Sequence, residues 1–170
     1  MKRVKRYCEP GAWVSIPLWE GTHSLGKVVA VDKYGFLCGY FFMRLLFGTA
    51  HLSDTAGLSV DDAAFAYRVD PGGFRNDGWQ VIDTPAPFDS DAWPIPVFTH
   101  EEFLTNRIRY SEYSGQDLIT PKRIWFLKAG SAHIDERFDD GLATPGIIYQ
   151  RMKYHMRNEY YERRPAPDST

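Results

Sequence analysis

The sequence predicts a mainly β fold with a C-terminal helix, in which an antiparallel twisted sheet or partly open barrel carries the helix on one face. Three observations favour this class. Short apolar segments in the first half of the chain are separated only by turn-forming residues. Aromatic residues, which favour strands, make up 15% of the sequence. A helical pattern with a capping sequence lies near the C-terminus.

The first three predicted strands form an antiparallel meander. They occupy residues 13–18, 25–31 and 36–43, and the links between them are short. Parallel neighbours would need long crossover connections, which these links cannot supply. Gly35 closes the second link and is free to adopt a positive φ. Gly39, inside the third strand, predicts a bulge or a close approach of backbone.

The later strands are predicted from alternation and from turn residues. Phe65, Tyr67 and Val69 alternate with smaller or polar residues, which predicts a strand at 64–69 that ends at Pro71. Prolines between residues 85 and 96 predict an extended, irregular segment. Further strands are expected at residues 79–83, 108–113 and 123–128, with an edge segment at 95–98.

One convincing helix follows Thr144. Thr144 can cap the helix and Pro145 suits its first position. Ile148, Met152 and Met156 then recur every four residues along one face. We expect this face to dock onto the sheet and to be structural.

Length and composition favour a single domain over residues 1–164, with a flexible tail at 165–170. The formal net charge is only −2, which argues against a nucleic-acid partner. No segment approaches the roughly 20 apolar residues of a membrane span, and no secretory signal is evident, so we expect a cytoplasmic protein. Cys8 and Cys38 are too few for a disulfide framework; reduced thiols are expected, and a single bridge remains open.

The chain lacks the common nucleotide-binding and hydrolase motifs, but it carries two histidine–acid pairs. His133 and Asp135 would share one face of a strand, and His51 and Asp54 would meet on a turn or helix. Together these four residues could form a hydrolytic metal centre. The alternative interpretation is that both pairs are surface hydrogen bonds.

Acidic residues concentrate between Asp54 and Glu102, where ten carboxylates face two arginines and give a formal charge of −8. Such residues are often turn formers on solvated faces. The functional alternative is an acidic surface that steers a basic partner.

The opening of the chain resembles the immunity protein 26 family of bacterial polymorphic-toxin systems. The resemblance lies in the apolar segment 10–18, the glycine turn at Gly21 and the Gly-Lys-Val segment at 26–28. The segments 36–43, 78–83 and 93–98 are similar to later elements of that family, although Asp83 stands where glycine is usual. The similarity covers residues 10–128.

The resemblance implies a β fold and a cytoplasmic protein that neutralises a cognate toxin by stoichiometric binding, without a cofactor. The same grouping includes a small phosphotriesterase, so the alternative function is a metal-dependent phosphotriester hydrolase. For the binding function we expect the partner to contact acidic and aromatic residues of the acidic stretch. The predicted contact residues are Asp61, Asp62, Asp70, Phe74, Asp77 and Trp79.

Overall fold

A computed structural model of the chain describes residues 7–130 and 135–164, so the predicted tail at 165–170 lies outside the described residues. The fold is mainly β, as predicted, with a long C-terminal helix. Its strands are β1 (Trp13–Pro17), β2 (Thr22–Val31), β3 (Leu37–Phe47), β4 (Phe65–Val69), β5 (Gln80–Asp83), β6 (Phe98–Glu102), β7 (Arg107–Glu112), β8 (Arg123–Lys128) and β9 (Leu142–Ala143). Its α-helices are α1 (Gly72–Asn76) and α2 (Pro145–Arg163).

Six strands form an open main sheet in the order β5-β1-β2-β3-β4-β9. The predicted meander is confirmed, because β1 to β4 pair in sequence and antiparallel. Gly35 adopts a φ of +88° and donates its backbone N–H to the Asp32 carbonyl at 3.1 Å, which closes the predicted turn. The β2–β3 register shifts between Val28 and Ala30, so the extra residue lies in β2, opposite Gly39. At Gly39 itself a Cβ would lie 3.2 Å from the Lys27 carbonyl oxygen, which is the close backbone approach that the sequence predicts.

The helix α2 covers one face of the main sheet, as predicted. It begins at Pro145, and the side chains of Ile148, Met152 and Met156 are fully buried against the sheet. Tyr160 stacks on Trp19 with 4.3 Å between ring centroids and holds the last turns of the helix. Within residues 7–130 and 135–164, no helix has the length and apolar character that crossing a membrane requires.

The other face of the main sheet is also buried, which the single predicted helix does not explain. The strands β6, β7 and β8 form a separate antiparallel sheet, the outer sheet, in the order β6-β7-β8. Its residue Phe98 joins Leu118 and the main-sheet residue Phe42 in a second apolar core. The proline-rich segment closes this core, because Tyr40 donates its hydroxyl hydrogen to the Pro94 carbonyl at 2.8 Å.

Three local features differ from the sequence prediction. The edge segment expected at 95–98 is a strand only from Phe98, since Pro94 and Pro96 have no N–H to pair. The two-residue strand β9 pairs with β4 in parallel, which no short-range pattern indicates. The chain after β4 forms α1, where a Cβ on Gly73 would lie 2.4 Å from the Trp79 ring. Glycine is therefore required for Trp79 to pack there.

Candidate protein-binding surface

The strand β8 is an edge strand whose two faces are both accessible. It pairs antiparallel with β7 from Glu112↔Arg123 to Arg107↔Lys128, and no other described strand pairs with it. Three of its apolar side chains are more than 40% exposed, namely Ile124, Phe126 and Leu127. Because neighbouring residues of a strand point to opposite faces, β8 presents apolar groups on both sides of the outer sheet.

The turn between β6 and β7 extends this exposed surface. Phe103 is 82% exposed and Leu104 is completely exposed. The N–H of Ala129, just after β8, donates to the Asn106 carbonyl at 3.0 Å and holds the turn beside the end of β8. We call the five exposed residues, which lie on both faces of β8 and on the adjacent turn, the apolar patch: Phe103, Leu104, Ile124, Phe126 and Leu127. Exposed apolar surface of this kind commonly marks a protein-interaction site.

Aromatic and cationic groups hold the strand in place. Trp125 stacks on Tyr110 of β7 with 5.3 Å between ring centroids. The Arg107 guanidinium lies 4.4 Å from the centroid of the Phe126 ring. These contacts restrict the rotamers of large side chains before any partner arrives, which lowers the entropy lost on binding.

A buried ionic network attaches the outer sheet to the main sheet. Arg68 of β4 donates through Nη1 to the Leu118 carbonyl and through Nη2 to Asp140 Oδ1, each at 2.7 Å. Asp140 also accepts hydrogen bonds from the Tyr113 hydroxyl at 2.8 Å and from Arg109 Nη2 at 3.3 Å. Burial, followed by the Asp140 hydrogen bond, raises the pKa of Tyr113 to about 12, so its hydroxyl remains a donor.

The acidic residues predicted to bind a partner lie at the two ends of β4. Asp61 and Asp62 are exposed on a 3₁₀ turn before β4, whereas Asp70 and Asp77 follow that strand. The five residues of β4 separate the two groups by roughly 17 Å. Asp62 accepts a 2.6 Å hydrogen bond from the Ser59 hydroxyl, which lowers the pKa of Asp62.

The two aromatic residues predicted beside them serve the core. Trp79 is buried and packs against Phe41 and Phe74, so its ring is not accessible to a partner. Phe74 is half-buried on α1 and stacks on Tyr7 with 6.1 Å between ring centroids. Asp70 accepts the Gly72 N–H at 2.6 Å and shapes the start of α1. Of the six predicted contact residues, Asp61, Asp62 and Asp77 are the exposed ones.

The carboxylates of the predicted metal centre are occupied by local hydrogen bonds. Asp54 accepts the His51 N–H at 2.8 Å and caps a 3₁₀ turn. Asp135 accepts hydrogen bonds from Arg137 Nε at 2.9 Å and from Arg137 Nη2 at 2.7 Å. His133 lies outside the described residues. Among the residues that the structure describes, no three histidine, cysteine or acidic side chains are placed to hold a metal ion.

A polar cavity of about 360 Å³ brings together two histidines that the sequence does not connect, His23 and His51. His23 donates through Nδ1 to the Gly48 carbonyl at 2.9 Å. Its sequence neighbour Ser24 donates to the Phe42 carbonyl at 2.6 Å on the other face, as strand geometry predicts. Other polar groups lining the cavity come from Ser15, Thr49 and Gln80.

Both cysteines are buried free thiols, which resolves the open question of a bridge. Burial raises the pKa of the Cys8 thiol to about 12, with a smaller contribution from Glu9. Burial likewise raises the pKa of Cys38 to about 12. Thiols with such pKa values are poor nucleophiles and metal ligands at neutral pH.

The run of strand-forming residues predicts β8 correctly at residues 123–128 but does not indicate that the strand is exposed. Its sequence, Arg-Ile-Trp-Phe-Leu-Lys, has four adjacent apolar residues between two cations and reads like a buried strand. The signal in the sequence that could have indicated its exposure is that no second long helix and no further strands are predicted to cover it.

Comparisons of the chain with protein-family models, with curated proteins and with solved structures find no match. The resemblance of residues 10–128 to the immunity protein 26 family therefore stays a prediction.

Proposed function

We propose that this protein binds a partner protein stoichiometrically through the apolar patch, and that the partner is a bacterial toxin which it neutralises in the cytoplasm. The observation that carries the binding part is the exposure of Ile124, Phe126 and Leu127 on an edge strand. The sequence resemblance to immunity protein 26 supports the toxin as partner.

The physical case rests on what a partner would gain at this surface. Covering apolar area stabilises a complex by about 25 cal/mol per Å² before ordering costs. Aromatic and arginine side chains usually contribute most of the binding energy, and Phe103, Phe126 and Arg107 offer them at or beside the patch. Asp61 and Asp62 are not part of the patch, so their predicted role is to speed association with a basic partner.

The experiment uses the product of the neighbouring gene as the probe, because immunity proteins are encoded beside their toxins. We expect a one-to-one complex by size-exclusion chromatography with light scattering. The double variant Phe126→Ser with Leu127→Ser should weaken its affinity at least about tenfold, because it removes one exposed apolar side chain from each face of β8. Its melting temperature, measured in parallel, separates lost binding from lost folding.

The matched control is Asp61→Lys with Asp62→Lys. We expect it to change the rate and salt dependence of association while leaving the dissociation rate nearly unchanged. Absence of any complex would contradict the toxin-binding function. A complex that tolerates the patch variant but dissociates faster in the acidic variant would move the interface to the predicted acidic residues.

A further inference from the structure

We propose that the outer edge of β8 binds an extended segment of the partner as a fourth strand of the outer sheet, and that this segment is apolar in its centre and acidic at both ends. This inference rests on the proposed function, since it states how the partner is held. It states that backbone hydrogen bonds hold the partner beside the apolar patch, and it states which residue types the bound segment carries.

The backbone of β8 is suited to strand addition. Its register with β7 runs without a shift from Arg123 to Lys128, and the strand contains no proline or glycine. Among the described residues only β7 pairs with it, so every second N–H and C=O of β8 points away from the sheet. Edge strands that avoid pairing usually carry a proline, a bulge or charges along the strand; β8 has no proline or bulge, and its two charges stand only at its ends.

The charges on β8 favour acidic residues at the two ends of the added strand. Arg123 begins the strand and Lys128 ends it, and no carboxylate lies between them. The Arg123 guanidinium lies 5.0 Å from the centroid of the Trp125 ring, and its cross-strand neighbour Glu112 forms its ion pair with Lys122 instead, at 3.1 Å. An added strand of equal length places its own ends opposite these cations, where opposite charges are favourable.

The same charges disfavour a second copy of this chain as the added strand. Antiparallel pairing of β8 with itself would place Arg123 of one copy opposite Lys128 of the other, twice. Parallel pairing in register would place each cation opposite its equivalent. Like charges directly opposite each other destabilise a strand pair. The β7–β8 pair contains one such opposition, Arg107↔Lys128, and balances it with the opposite charges of Glu112↔Arg123. Self-pairing of β8 would contain two like-charge oppositions and no opposite-charge pair. The geometry therefore favours a different protein with acidic strand ends.

The test titrates the full-length protein with a capped peptide of sequence Glu-Val-Thr-Val-Val-Glu and follows amide resonances by NMR. Two further peptides are N-methylated at every second backbone amide. One carries the methyl groups on the odd-numbered residues and the other carries them on the even-numbered residues. Strand addition uses only the amides that face β8. We expect one methylated peptide to bind at least about tenfold more weakly and the other to bind within about twofold of the parent peptide. Equal behaviour of the two methylated peptides, or no binding by any peptide, would overturn strand addition.

A charge exchange tests the acidic ends. Arg123→Glu should weaken binding of the Glu-ended peptide severalfold and strengthen binding of a Lys-ended peptide. The matched control is Arg157→Glu, an exposed cation on α2, the helix on the opposite face of the main sheet. It should leave both affinities unchanged. Equal effects of the two variants would overturn the proposed chemistry of the strand ends.

The experiments distinguish failure of the strand-addition proposal from failure of the proposed partner binding. If the neighbouring gene's product binds and the patch variant releases it, while the peptides show no amide preference, side chains alone hold the partner and strand addition is wrong. If the protein forms a dimer that Phe126→Ser dissociates, the second copy is the occupant and the acidic partner strand is wrong.

Discussion

Lys27 shows how a single residue is constrained by the second apolar core. Its side chain is buried, and Nζ donates to the Gly11 carbonyl at 2.6 Å. The ammonium lies 4.7 Å from the centroid of the Trp13 ring and 5.6 Å from that of Trp93. Burial lowers the pKa of Lys27 from 10.5 to about 8, although nearby Asp83 opposes the shift.

This shift predicts a rise in stability with pH. Below about pH 8 both folded and unfolded chains hold the proton, so the cost of burying the charge is fully present. Between about pH 8 and 10.5 the unfolded chain binds more protons, and the free energy of unfolding rises. We expect the parent to gain up to roughly 3 kcal/mol relative to Lys27→Met across this window. Urea unfolding at several pH values measures the difference.

The control for this pH dependence is Lys33→Met, because the Lys33 side chain is 60% exposed. The free energy of unfolding of Lys33→Met should change with pH in parallel with that of the parent. If the free energies of unfolding of the parent and of Lys27→Met change in parallel with pH, the lowered pKa of Lys27 is contradicted.

At the scale of the element, α2 is expected to contribute stability rather than partner contacts. Met152→Ala removes a fully buried side chain between the helix and the main sheet, which typically costs about 2–5 kcal/mol. The melting temperature should fall clearly, while the affinity of the folded protein for its partner stays unchanged. Calorimetry and binding measurements on the same preparation check both statements.

Tyr154→Ala on the same helix is the matched control, because Tyr154 is 80% exposed. We expect its stability to change by at most about 0.5 kcal/mol. If Met152→Ala melts like the parent but loses the partner, α2 is the binding element and the apolar patch is not.

The strand β8 and the helix α2 were predicted from the sequence, whereas the strand β9 was not, and the difference has a physical reason. The bounds of β8 followed from strand-forming residues, and the start of α2 from Pro145 at its first position. Thr144 is the N-cap residue as predicted, but its side chain makes no capping hydrogen bond. The strand β9 is two residues long and exists because β4 offers it an edge. Its local sequence contains no comparable signal.

Asp140 joins the main sheet to the outer sheet. Its side chain is only 2% exposed and accepts hydrogen bonds from Arg68 of the main sheet and Arg109 of the outer sheet. Asp140→Asn leaves two arginines near the core without a counter-charge. We expect a loss of about 3–5 kcal/mol, since breaking a buried ion pair leaves a buried charge uncompensated.

Chemical denaturation measures this loss, and hydrogen exchange should show that the amides of β6 and β7 lose protection. The neighbouring variant Asp139→Asn is the control, because the Asp139 side chain is 56% exposed. It should change stability by less than about 1 kcal/mol. Equal stability of the two variants would show that the sheets are held by the apolar core alone.

Local patterns in the chain determined the strands of the meander, the turn at Gly35, the close backbone approach at Gly39 and the buried face of α2, because period and backbone dihedrals act over a few residues. Contacts distant in sequence decided the rest. Arg68 meets Asp140 across 72 residues, and Trp79 enters the core because Gly73 leaves space for its ring. The exposure of β8 is likewise decided by the fold: a strand's accessibility depends on which other elements cover it, and its own residues do not specify that.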